Sequence, residues 1–179
     1  MEKIAHSSLE DFYREMTAKL GKNLEDIFPK GLHKDIGHFN VFDIAQTIER
    51  VKTTSEMPYN RRKYYKISLI RGNNRAEYAD KVISIKRNAL LFATPKVPYH
   101  WIPEDNEQSG SFCVFTEDFL IKDRSYNGLE NLPIFQPGGI PVFEIDDELA
   151  DEIGLLFKNI KKEIDSDYVF KYDLIRNYV

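Results

Sequence analysis

From Tyr64 to Trp101 the chain reads YYKISLIRGNNRAEYADKVISIKRNALLFATPKVPYHW, a row of short β-branched and aromatic runs cut by polar turns. Strands this short at near-regular spacing restrict the chain to a sandwich or a barrel. Lys63 to Arg71 forms the first run, and Gly72-Asn73-Asn74, which tolerate positive φ, predict a hairpin turn. Arg75 to Ala79 then returns, Asp80-Lys81 turns, and Val82 to Lys86 alternates outward before Arg87-Asn88 leads into Ala89 to Ala93. Pro95, Pro98 and Pro103 bracket Tyr99, His100 and Trp101. Proline withdraws a ladder donor, so this piece is expected at an edge or a barrel mouth. Gly110 to Thr116 is a further strand, with Phe112 and Val114 on one face and Cys113 and Phe115 on the other.

The flanks read differently. Ser7 to Leu20 is predicted helical, with Ser7 and Glu10 as a capping box, an apolar stripe through Phe12, Tyr13 and Met16, and Gly21 as the left-handed cap. Asn23 to Gly37 reads as loop with one helical turn, and Phe39 to Ile44 as a strand. Pro58 and Asn60 are turn signals in the polar connection that follows. After Asn127, closely spaced prolines and glycines mark an irregular crossover before a last strand from Val142 to Ile145. Asp146 is the expected N-cap of a strong helix whose stripe is Leu149, Ile153, Leu156, Phe157, Ile160 and Ile164. A second helical pattern, opened by Ser166 or Asp167, runs through Tyr168, Tyr172, Ile175 and Val179 without a stop signal, as expected of a helix cut by the chain end.

Composition narrows the chemistry. The formal net charge is -4 over 179 residues, which lacks the footprint that phosphate-backbone binding needs. Cys113 is the single cysteine, so no intramolecular disulfide forms, and a buried structural thiol is the expected state. No apolar run approaches a membrane span and no signal sequence is evident, so the expected location is cytoplasmic. The histidines are His6, His33, His38 and His100, with no His-x-His pair, so no metal site is expected. There is no G-x-S-x-G elbow and no phosphate loop. The chain is expected to be no enzyme, with no catalytic residue and no cofactor.

The segments HFNVFDI, YNRRKYYKISLIRG, AEYADKVISIKRNALLFATPKVPYHW and SGSFCVFTEDFL resemble, in order and length, the N-terminal sensor region of AraC-family transcriptional regulators, especially the type found in Bacteroidetes. The resemblance is close over residues 38–120 and looser through the helices after Asp146. It implies a mainly β fold with flanking helices: a cupin-like (double-stranded β-helix) small barrel followed by C-terminal dimerisation helices. On that reading 1–37 is an N-terminal helix and arm, 38–145 the effector-binding barrel, and 146–179 the dimerisation region. The helix-turn-helix module that reads DNA would lie outside these residues.

A small-molecule effector, a sugar or related metabolite, is then the expected ligand, a homodimer the expected assembly, and DNA a partner only through the missing module. Arg61 and Arg62 precede the first barrel strand, where a guanidinium can clamp a carboxylate or a sugar hydroxyl; the sequence leaves open which of them points inward, or whether both are solvated. The resemblance favours a pocket role, because in some family members an arginine just before this strand reaches the effector. Tyr99, His100 and Trp101 are candidates for an aromatic pocket wall or for edge packing, and Tyr65, Tyr78 and Phe112 for the barrel interior. On the first long strand Tyr65, Ile67 and Leu69 make the better core face, which leaves Lys66 and Ser68 to solvent or to a polar pocket. The stripe from Leu149 to Ile164 supplies a dimer surface or packs within one chain, and the resemblance favours the dimer. A stand-alone cupin enzyme of the sugar isomerase or epimerase type and a small-molecule carrier are the alternatives.

Overall fold

The computed structural model describes residues 6–32, 36–48, 61–78, 81–105, 107–121 and 128–179. Pro58, Asn60, His33, Asp80 and Asn127 lie outside these described residues. A two-residue strand β1 (His6–Ser7) leads into helix α1 (Leu9–Leu20) and a single turn α2 (Leu24–Ile27). Strand β2 (Phe39–Asp43), short helix α3 (Ile44–Ile48) and strand β3 (Arg61–Arg62) follow. The β-rich centre comprises β4 (Tyr65–Arg71), β5 (Asn74–Tyr78), β6 (Lys81–Ile85), β7 (Asn88–Ala93), β8 (Tyr99–Pro103) and β9 (Ser109–Phe115). Beyond it come α4 (Glu117–Leu120), a 3-10 turn, β10 (Val142–Glu144), α5 (Asp147–Ile164) and α6 (Lys171–Tyr178).

These strands form two main antiparallel sheets, ordered β10-β7-β4-β9-β2 and β6-β5-β8, with β1 and β3 paired in parallel beside them. The fold is mainly antiparallel β with flanking helices. Side chains alternate across the large sheet as the strand period requires. Ser68 and Ile70 on β4, Ala89, Leu91 and Ala93 on β7, and Phe112 and Val114 on β9 are buried on one face. Most of these join an inner core with Ala76 and Tyr78 of the small sheet and Phe12, Tyr13 and Met16 of α1. The opposite set, Tyr65, Leu69, Cys113 and Phe115, packs with Phe157 and Ile160 of α5 and with Tyr172 and Ile175 of α6. Both faces of β4 are therefore core. Tyr65 and Leu69 are core, as expected of the better core face. Of the two alternatives for Lys66 and Ser68 the structure shows the pocket, because the small sheet and α1 pack over that side while α5 and α6 bury the other.

Two further local expectations shift. Gly72 and Asn73 do turn the chain, with Gly72 at φ +109°, but β4 pairs with β7 and β9 and β5 pairs with β6 and β8. The turn is thus a corner between sheets and not a hairpin. Asp105 holds it by accepting from the Asn73 amide at 2.9 Å, and the Gly72 amide donates to the Arg87 carbonyl at 2.8 Å where the chain crosses back. Local residues announce a turn, but its partner strands are chosen by distant pairing.

The capping box of α1 sits one residue later than expected. The Ser8 hydroxyl accepts from the Asp11 amide at 3.1 Å, and an Asp11 carboxylate oxygen accepts from the Ser8 amide at 2.9 Å. Ser7 is instead committed to the β1–β3 pairing opposite Arg62. Replacing Ser8 with alanine is expected to cost about 1 kcal/mol, read as a lower urea midpoint, whereas the same change at Glu10 should be close to neutral. Gly21 caps the helix in the left-handed region at φ +59°. Asp146 caps α5, accepting from the Leu149 amide at 2.9 Å.

Candidate functional site

A largely enclosed pocket of about 50 Å³, partly open to the surface, lies in the inner core between α1, α3 and the facing sheets. Its floor comes from β4, where the strand period points Lys66, Ser68 and Ile70 inward together. Across from them β8 contributes Tyr99 and Trp101, again alternate residues of one strand, and β9 contributes Phe112. Arg62 of β3 and Phe12, Met16 and Lys19 of α1 complete the side that faces the N-terminal segment. Most of the wall is apolar, so the few polar groups on it fix what can enter.

The polar groups are mostly cations and donors. The Lys66 ammonium sits 4.0 Å from the centre of the Phe112 ring, and among the described residues it makes no ion pair. It keeps some accessible surface because it borders the cavity, yet protein packs around it, and this burial lowers its pKa from the ordinary lysine value. The Arg62 guanidinium stacks on the Tyr99 ring at 3.9 Å and donates to the Tyr99 carbonyl at 3.1 Å. Tyr99 is 2 % exposed. Its hydroxyl has no partner of sound hydrogen-bond geometry, although Lys66 is a near neighbour. Burial alone would raise the Tyr99 pKa, but the positive charges of Arg62 and Lys66 outweigh it and lower it. The Trp101 indole N–H is also buried without a partner. The carboxylate on this wall, Glu15, is already paired with Lys19.

The cavity gathers Arg62, Tyr99, Trp101 and Phe112 from the sequence candidates. The other candidates lie elsewhere. Arg61 is not on the wall, and its Nε is buried without a partner. Tyr65 points to the opposite face of β4, stacked on Phe115 at 5.6 Å and edge-on to Phe135 at 5.0 Å. Tyr78 backs the wall through Tyr99, ring centres 6.5 Å apart. His100 alternates away from Tyr99 and Trp101 and places Nδ1 3.5 Å from a Glu77 carboxylate oxygen. Lys66 is the principal residue that sequence reasoning left undecided. Its signal was present as a lysine within a largely apolar strand that also carries Ser68 and Arg71, but only the surrounding elements show that it faces a pocket.

The rest of the inventory offers no competing chemistry. Among the described residues no group of three or more His, Cys, Asp or Glu side chains could hold a metal ion, and no helix is long and apolar enough to cross a membrane. The Cys113 thiol is buried, which pushes its pKa up to about 12 and leaves it unreactive. A wider groove of about 660 Å³ runs between α5 and the β2 edge, but it is open and its charges are of both signs, with Arg71 paired to Asp151 at 2.7 Å. On the α5 stripe, Phe157, Ile160 and Ile164 are buried within the chain and Ile153 packs partly against them, while Leu149 and Leu156 are 42 % and 38 % exposed.

Fold and pocket together define a mainly antiparallel β protein whose interior pocket bears cationic side chains. No family model matches the chain, and no curated protein matches it. Among solved structures, the AraC-like transcriptional activator CuxR is 13% identical, with a TM-score of 0.43, over 93% of this chain and 63% of that one. The plu4264 protein of Photorhabdus luminescens is 14% identical with a TM-score of 0.30, over 51% of this chain and 72% of that one. A cupin 2 conserved barrel domain protein from Salinispora arenicola CNS-205 is 11% identical with a TM-score of 0.27, over 45% and 60% of the two chains. The chain thus spans less than two thirds of the length of CuxR and of the Salinispora protein.

Proposed function

We propose that the chain is a small-molecule sensing domain that binds its effector in the inner cavity, without catalysis, and reports occupancy through its helices. The observation that carries this is the pocket, where among the described residues the Trp101 N–H is buried without a partner and the Tyr99 hydroxyl has none of sound hydrogen-bond geometry. Each such unmade hydrogen bond costs stability of about 1–3 kcal/mol, and a bound molecule that accepts from them recovers it. The order of strands resembles AraC-family sensor regions, which supports the reading that this domain works with a DNA-reading module. An effector would then act by linkage, shifting an arrangement of barrel, N-terminal segment and helices by its differential affinity. The α1 residues on the cavity wall supply the connection, since a ligand there touches the element that follows the N-terminal arm.

Trp101 is the only tryptophan in the chain, so its emission reports the cavity directly. A metabolite library screened by thermal melting and by Trp101 emission is expected to give at least one compound that moves both. Failure of every compound to move either signal would remove the sensing role. Dimerisation belongs to the same reading, and the exposed Leu149 and Leu156 of α5 are its proposed seam. Changing both to glutamate should weaken self-association at least tenfold in sedimentation equilibrium while leaving the melting curve of the monomer in place. An unchanged association constant would move the seam elsewhere.

A further inference from the structure

The sensing role leaves the chemical class of the effector open, and the cavity constrains it further. The unpartnered groups on the wall among the described residues are the Trp101 N–H, a donor, and the Tyr99 hydroxyl, which donates and can also accept, so a ligand head rich in acceptors suits them. Two basic side chains, Arg62 and Lys66, face the same space. Glu15, the carboxylate on the wall, is held by Lys19, and among the described residues the Lys66 ammonium has the Phe112 ring and the Tyr99 hydroxyl beside it but no carboxylate partner. A lysine enclosed this way without a counter-charge is costly for the empty protein. That cost disappears when an anion enters.

We infer that the cavity takes a small organic carboxylate. Its head is held by Lys66 and Arg62, with the Tyr99 hydroxyl and Trp101 N–H donating, and its short apolar body lies against Phe12, Ile70 and Leu91. This rests on the sensing reading and specifies the ligand of that same site. The size follows from the pocket: about 50 Å³ holds only a few water-sized groups, so a carboxylate on a body of a few carbons fits. The carboxylate is an acceptor-only anion, which complements the Lys66 and Arg62 side chains and the Trp101 N–H.

The test is a titration of Trp101 emission with acetate, butyrate and benzoate, each against its primary amide, at constant ionic strength, with arabinose as a neutral polyol. At least one acid is expected to bind saturably and at least tenfold more tightly than its amide. Lys66→Met should weaken that acid tenfold or more and leave the amide unchanged. The variant should still fold, and melt higher than the parent, because it removes an uncompensated buried cation. Tyr99→Phe, which keeps the ring stacked on by Arg62, should weaken the acid several-fold as a second check. Equal binding of acid and amide, or binding of arabinose alone, overturns the carboxylate assignment and leaves the sensing role standing. Silence from acids, amides and arabinose together, in the emission and in calorimetry, overturns both.

Discussion

Gly110→Ala is expected to destabilise the protein by about 4 kcal/mol, close to the whole stability of a marginal domain. Gly110 has φ +114°, a region that side-chain-bearing residues avoid, and a Cβ there would stand 2.0 Å from the Leu69 carbonyl oxygen. The obstacle is backbone, and it belongs to β4, the middle strand of the five-stranded sheet, so it cannot swing aside. Gly110 faces Ile70 in the β4–β9 ladder, and Ile70 is part of the cavity wall. Relief of the clash must therefore move either the ladder or the site. Gly31→Ala is the control: it also has positive φ, +70°, but nothing lies within 4 Å of its Cβ. It should lose only the conformational strain of about 1 kcal/mol. Urea unfolding of both variants checks the pair, and a Gly110→Ala midpoint no lower than that of Gly31→Ala would contradict the geometry.

Acid should weaken the fold through one histidine. Burial lowers the His38 pKa from 6.5 to about 4. Its Nε2 lies 3.0 Å from the Tyr13 hydroxyl, which also accepts from the Asn40 side-chain amide at 2.9 Å. With Asn40 donating to it, the tyrosine turns its own proton toward His38, and the ring must accept there as the neutral form. The sign follows. The unfolded chain binds a proton near pH 6.5 and the folded chain does not until about pH 4, so stability is full above 6.5 and lost as pH falls between these values. The shift corresponds to about 3 kcal/mol over that window. His38→Gln keeps an acceptor for Tyr13 and removes the titration. Urea midpoints at pH 7 and pH 4.5 should fall further for the parent than for the variant, and parallel falls would assign the acid sensitivity to carboxylates.

How much of this was legible differs by element. The α5 helix could be read almost to the residue, because Asp146 as cap and a 3.6-residue stripe are local signals that its packing reinforces. The short strands were legible for the same reason, and Tyr99 and Trp101 were candidates because prolines framed them. The pairing of β4 was not legible. Gly72-Asn73 has the residues of a hairpin, and nothing nearby says that β5 belongs to another sheet. His100 shows the same limit at the site: it sits between two cavity residues in sequence, and the strand alternation turns it toward Glu77.

By itself the sequence determined the local conformations: which runs extend, where helices start, and that no thiol pair and no histidine cluster of metal-site spacing is written into the chain. Those follow from propensity, capping and period, which act over a few residues. Only the tertiary structure decided that Lys66 faces a largely enclosed pocket and not solvent, and that Arg62, not Arg61, is the guanidinium on its wall. The physical reason is that burial and electrostatic environment belong to no single segment. Lys66 comes to its place between Phe112 and Tyr99 through the pairing of β4 with β9 and the packing of one sheet against the other. A strand carrying the same residues with one face open to water would hold an ordinary solvated lysine.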